Sequence, residues 1–149
     1  AVREAQQAGE LGEVPIGAVV VHQGRIIGRG QNRTIALQDP TAHAEMLAIT
    51  AAASALHSWR LEDCTLYVTL EPCPMCAGAC LNSRLPRVVY GAPEPKFGAF
   101  GSVVDLRAPP GYNHRLEACG GVLAADSAEL LRAFFRAVRE RKNGGAPEN

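Results

Sequence analysis

With 149 residues, nearly half of them apolar and a fifth charged, the chain is long enough for one domain with one core and has an ordinary globular composition. Its formal net charge is zero, so the whole-chain charge gives no sign of a nucleic-acid partner, and only a local basic patch stays open. No apolar run is long enough to span a bilayer, and five cysteines cannot all pair internally, which favours a reducing compartment over a disulfide scaffold.

In chain order, residues 1–10 are rich in Ala, Gln and Glu and read as the end of a helix closed by Gly9 and Gly12. The helix starts without a cap, so part of it is expected to precede residue 1. Pro15 to Val21 is a β run whose continuous apolarity implies burial on both faces. His22-Gln23-Gly24 is a turn, and Arg25 to Asn32 a returning strand. After the loop Gln38-Asp39-Pro40, Thr41 is the expected N-cap of a helix from Ala42 to about His57, with Met46, Leu47, Ile49 and Leu56 as its buried stripe. Thr65 to Leu70 is the next strand. Pro72 stops it, and Pro74 opens a short helix to about Arg84. Arg87-Val88-Val89-Tyr90 is a further strand. Residues 92–115 are irregular, with a short strand or turn expected in Ser102 to Leu106, and Leu116 to Cys119 is a last weak strand. Asp126 and Glu129 read as a capping box for a helix to about Lys142 with Leu130, Leu131, Phe134, Phe135 and Val138 on one face; 143–149 read as a frayed tail. A hairpin followed by alternating strands and helices predicts one α/β domain over 1–149 with a mixed sheet.

The chemistry concentrates in two places. Cys73 and Cys76 would open a helix, where the dipole and free N–H groups favour thiolates. His43 and Glu45 stand about thirty residues earlier. Two thiolates and a neutral imidazole suit zinc, and three protein ligands leave a fourth position for water, whose pKa then falls towards neutrality. Glu45, two residues from the ligand histidine, could move protons there. In mid-helix such a pair points to opposite sides, so it must occupy the helix mouth. Two plainer readings compete. One is a closed structural zinc site with Cys80 as fourth ligand; the other is a redox pair, which leaves His43 and Glu45 without purpose. Cys64 and Cys119 read as small core residues, and Trp59 as packing.

His43-Ala44-Glu45 with Pro72-Cys73-Pro74-Met75-Cys76 matches the pattern of the zinc nucleobase deaminases. Longer strings extend the match: Val14 to Val19, Gly30-Gln31-Asn32-Arg33, Asp39 to Glu45, Thr65 to Ala79, Asn113-His114-Arg115 and Gly121-Val122-Leu123. From Val14 onwards the chain resembles the bacterial tRNA-specific adenosine deaminases. The resemblance implies a three-layer α/β/α cytidine deaminase-like fold with a central mixed five-stranded sheet, one Zn2+ per subunit, a homodimer and a cytoplasmic location. It implies conversion of the wobble adenosine of a tRNA anticodon stem-loop to inosine. By the same resemblance His43, Cys73 and Cys76 hold the metal and Glu45 is the proton-transfer group. Asn32, Val14 and Ala44 belong to the base pocket, Glu94 lies near the flipped nucleotide, and Phe135, Arg136 and Arg139 face the anticodon loop. Two positions depart from the family: Glu94 stands where aspartate is frequent, and Phe97 where a small or polar residue is, so that Phe97 either stacks on a base or packs into its loop. A free-base or nucleoside deaminase for guanine or cytosine, and a non-catalytic zinc-stabilised RNA-binding module, are the alternatives.

Overall fold

The computed structural model describes residues 1–144. The β runs become β1 (Gly17–His22), β2 (Arg25–Gln31), β3 (Cys64–Leu70), β4 (Arg87–Ala92) and β5 (Glu117–Cys119). The helices are α1 (Val2–Glu10), α2 (Ala44–Leu56), α3 (Pro74–Asn82) and α4 (Ala124–Asn143). All five strands join one sheet in the order β2-β1-β3-β4-β5. β1 is antiparallel to both its neighbours, while β3, β4 and β5 are parallel. The ends of β2, β3 and β4 therefore share one edge of the sheet, and α2 and α3 start beyond it, as ligand sites of α/β sheets require. Gln23 (φ 49°) and Gly24 (φ 74°) both take positive φ in the β1–β2 turn, the hand that suits the twist of paired strands.

α1 and α4 cover one face, α2 and α3 the other, which gives the expected α/β/α layering. Between the sheet and α2–α3 lies the main core, including Val20, Leu61, Leu66, Leu81, Leu85 and Val88. Each such side chain contributes about 1.5–3 kcal/mol on burial. On β2 the contact is closer than side chains allow. A Cβ at Gly30 would run into the backbone of Ala44 and Ala48, and one at Gly28 into Ala48 and Ala52. The buried stripe of α2 is accordingly Ala44, Ala48 and Ala52, not the larger Met46, Leu47, Ile49 and Leu56, which are half-buried at its flanks.

Local signals were overridden at several points. Thr41 does not cap α2, because Asp39 Oδ1 accepts both its N–H (2.8 Å) and its hydroxyl (2.7 Å); the N-cap is His43. α3 ends at Asn82, where Ser83 caps it and Arg84 turns to positive φ. No capping box forms on α4: Leu123 is the N-cap in the left-handed region, and Glu129 pairs with Arg132 and Arg136. In Ser102 to Leu106 the only regular feature is a bridge between Phe100 and Asp105. Cys64 is buried, but Cys119 is exposed on the edge strand. Trp59 is exposed, with Arg60 4.8 Å above its ring. Phe134 and Phe135 pack edge to face at 5.3 Å, neither fully buried. Asn143 is the last residue of α4 and Gly144 its C-cap, so the expected tail starts later; its remainder, 145–149, lies outside the described residues.

Candidate active site

Two helix mouths build the site. His43 is the N-cap of α2 (φ −77°, ψ 154°) and Cys73 that of α3 (φ −73°, ψ 171°). Both backbones are extended there, so the side chains leave before the helical spiral begins. That is how His43 and Glu45 share a site although they are two residues apart: His43 does not yet follow the helical step, and Glu45 sits in the first turn. His43 Nδ1 lies 3.7 Å from Cys73 Sγ and 3.6 Å from Cys76 Sγ. The three ligand atoms are all within 4.8 Å of one another and could hold a metal ion. Among the described residues Cys80 is not part of this group; it is fully buried in the core.

The electrostatics follow from burial and contact. The hydrogen bond from Cys76 is the main reason the Cys73 thiol is held down to about 4, with His43 adding to it. The buried Cys76 thiol is pushed up, through the same hydrogen bond and through desolvation. His43 is raised above its ordinary value, first by its contact with Cys73. Glu45 is 4 % exposed, and burial pushes its carboxyl up to about 7. A carboxyl with that pKa exchanges protons near neutrality.

These groups open into a cavity of about 480 Å³, within the usual range for small-ligand clefts, lined by Ile16, Pro40, His43, Glu45, Leu70, Glu71, Cys73, Pro74, Met75, Glu94 and Phe97. The structure thus brings together His43, Cys73, Cys76, Glu45 and Glu94. Phe97 reaches the cavity with 66 % of its surface exposed, so it does not pack into its own loop. Other expected residues lie elsewhere. Ala44 is buried against Gly30. Val14 is half-buried in the segment before β1. Asn32 is buried just after β2, where its side-chain N–H groups donate to Glu13 and Thr34 (both 3.4 Å). Phe135, Arg136 and Arg139 are exposed on α4.

Sequence reasoning assigned no role to Pro40, Met75 or Glu71. For Glu71 a signal was present: a charge between Leu70 and Pro72 at the end of a buried strand needs partners. His114 also acquires one, since its Nε2 lies 2.8 Å from the carbonyl oxygen of Leu85 and ties its segment to the connection between α3 and β4.

The MafB19-like deaminase family model matches residues 1–139. A tRNA-specific adenosine deaminase of Bacillus subtilis is 51% identical over 142 residues, which cover 95% of this chain and 88% of that protein. The chain belongs to the tRNA-specific adenosine deaminase family. A solved structure from work on A-to-I editing by tRNA:A34 deaminases superposes on this deaminase with a TM-score of 0.85 at 49% identity, covering 88% of this chain and 95% of the other. A guanine deaminase from Bacillus subtilis matches less of it: TM-score 0.61, 46% identity, 62% of this chain and 60% of the other. No helix among the described residues is long and apolar enough to cross a membrane.

Proposed function

We propose that this chain deaminates the wobble adenosine of a tRNA anticodon stem-loop to inosine, with one zinc ion per subunit. One observation carries the reading: a dithiol–imidazole group beside a buried carboxyl poised near neutrality, at the floor of a cavity. The donor set fits zinc. Tetrahedral zinc with ordinary Zn–S and Zn–N bonds separates a sulfur from a nitrogen ligand by about 3.6 Å, and the two Sγ–Nδ1 separations are 3.7 and 3.6 Å. His43 Nδ1, Cys73 Sγ and Cys76 Sγ would hold it. Bound there, zinc acidifies water towards neutrality.

Glu45 does the proton work. Its carboxylate takes a proton from the attacking water and returns it to N1 of the adenine ring as C6 becomes tetrahedral. Glu45 then takes the proton of the new C6 hydroxyl and passes it to the exocyclic nitrogen; the C6–N bond breaks as the C6 carbonyl forms, so that adenosine and water become inosine and ammonia. Burial at the first turn of α2 supplies the pKa this exchange needs. The apolar walls Ile16, Leu70 and Pro40 suit a flat base, and Phe97, projecting into solvent, suits a stacked neighbour. The side-chain N–H groups of Asn32 are taken by Glu13 and Thr34, which supports the reading that its carbonyl oxygen serves the base. The half-buried apolar flanks of α2 favour a homodimer, and Arg136 and Arg139 offer charge to RNA phosphates. Residues 1–149 act as one deaminase domain, in the cytoplasm.

The test is inosine formation in a short RNA hairpin carrying adenosine at the wobble position. It is scored with bound zinc, after chelation, and after zinc is restored. Activity should vanish and return; activity indifferent to chelation would overturn the zinc assignment.

A further inference from the structure

Glu71 is a second buried carboxylate of this cavity, and the chemistry above does not use it. It is 2 % exposed, at the end of β3, two residues before Cys73. Its oxygens are occupied by a single stretch of chain beyond β4. Oε2 accepts from the backbone N–H of Glu94 (3.0 Å), and Oε1 from those of Phe100 (3.0 Å) and Ser102 (3.1 Å). The Ser102 hydroxyl donates a further short bond to Oε2. Gly98 completes the cradle: a Cβ there would meet the Glu71 carboxylate and the Glu94 carbonyl. The 94–102 segment is therefore wrapped around one side chain. That segment carries Glu94 and Phe97, which form one wall of the cavity facing His43 and Cys73. Ala99 N–H also donates to the carbonyl of Pro72 (2.9 Å), so the wall is registered on the same few residues that lead into α3.

We propose that Glu71 is a positioning residue for the substrate: through its carboxylate it sets where Glu94 and Phe97 stand relative to the His43–Cys73–Cys76 group. This rests on the deaminase reading of the site. Glu71 takes no proton in the reaction. It fixes the wall against which the nucleotide is laid, so its loss weakens substrate engagement more than the chemical step. Replacement by glutamine sharpens the point, because the new NH₂ would face backbone N–H donors that now find an acceptor.

The experiment uses the zinc-loaded protein, with Glu71→Gln and Ser102→Ala variants. Two quantities are read: hydrogen exchange of peptides covering 94–102 and 64–70, and KM and kcat on the wobble-adenosine hairpin. In Glu71→Gln, exchange in 94–102 should speed up by about tenfold or more beyond whatever change 64–70 shows from the loss of global stability. KM should rise by about tenfold, with kcat within about threefold and zinc content intact. Ser102→Ala, at an exposed position, should show the same pattern in smaller measure, and it decides alone if Glu71→Gln does not fold. Wild-type exchange and KM in the variants would overturn the proposal, and so would a parallel loss of kcat and zinc. If the unaltered protein forms no inosine, the functional reading fails, while the exchange data still decide whether Glu71 holds the wall.

Discussion

Glu45 at the mouth of α2 and Glu71 at the end of β3 are both nearly excluded from water, at 4 % and 2 % exposure, and both line the same cavity. Their surroundings differ. For Glu45 burial is the largest influence and outweighs its own backbone N–H and the nearby His43, so the carboxyl rises to about 7. For Glu71 burial is also the largest single influence, but donors from Ser102, Glu94 and Phe100 together outweigh it and hold the carboxyl below its ordinary value. A buried carboxylate supplied with donors is part of the scaffold. One left short of them is prepared to exchange a proton.

The sharpest way to break this contrast is to make the two carboxylates amides. Glu45→Gln should lower kcat by about 10²–10⁴-fold with zinc retained, as loss of a general acid–base group does. Steady-state kinetics beside metal analysis checks it, and retained turnover would remove Glu45 from the mechanism. Next comes the way Glu45 is placed, by the packing of α2 on β2. Gly30→Ala should push the start of α2 off β2 and shift His43 and Glu45, lowering kcat/KM by about 10²-fold. Exchange in the 94–102 segment around Glu71 should stay as it was. Stability should separate the pair in the opposite sense. Glu71→Gln, which breaks a saturated buried acceptor, should cost about 1–3 kcal/mol in denaturant unfolding. Glu45→Gln should be neutral or stabilising by up to about 2 kcal/mol, since no donor network is lost.

The smallest effect lies just past the Glu71 cradle. Asp105 is held down to about 2, mainly by its hydrogen bond from Arg107. A depressed folded pKa means that its contribution is present above the ordinary aspartate value and is lost as pH falls from about 4 towards about 2. Because both groups are substantially exposed, Asp105→Asn should cost under about 1 kcal/mol at neutral pH, with the difference shrinking over that acid window in thermal melts.

Most of the architecture was legible in the residues. The Val19-Val20-Val21 run, the Gln23-Gly24 turn and the prolines at 72 and 74 each act locally, and each marks its element. The convergence of His43, Cys73 and Cys76, a group that could hold a metal ion, was legible because its spacing carries chemistry. What escaped was set by contacts distant in sequence. Thr41 looked like a cap, yet its polar groups go to Asp39 and the N-cap of α2 is His43. The large residues of α2 looked like its core stripe, but Gly28 and Gly30, on a different strand, selected the alanines. Glu71 gave no periodic signal, since its partners, three backbone N–H groups and the Ser102 hydroxyl, stand 23 to 31 residues further on.

The central claim is most directly tested by offering the zinc-loaded protein three substrates side by side: a hairpin with adenosine at the wobble position, the same hairpin with that adenosine moved into the stem, and free guanine. Products are identified by mass. Inosine should form in the first hairpin, with neither the displaced adenosine nor guanine turned over appreciably. Deamination of free guanine with none of the hairpin would contradict the account.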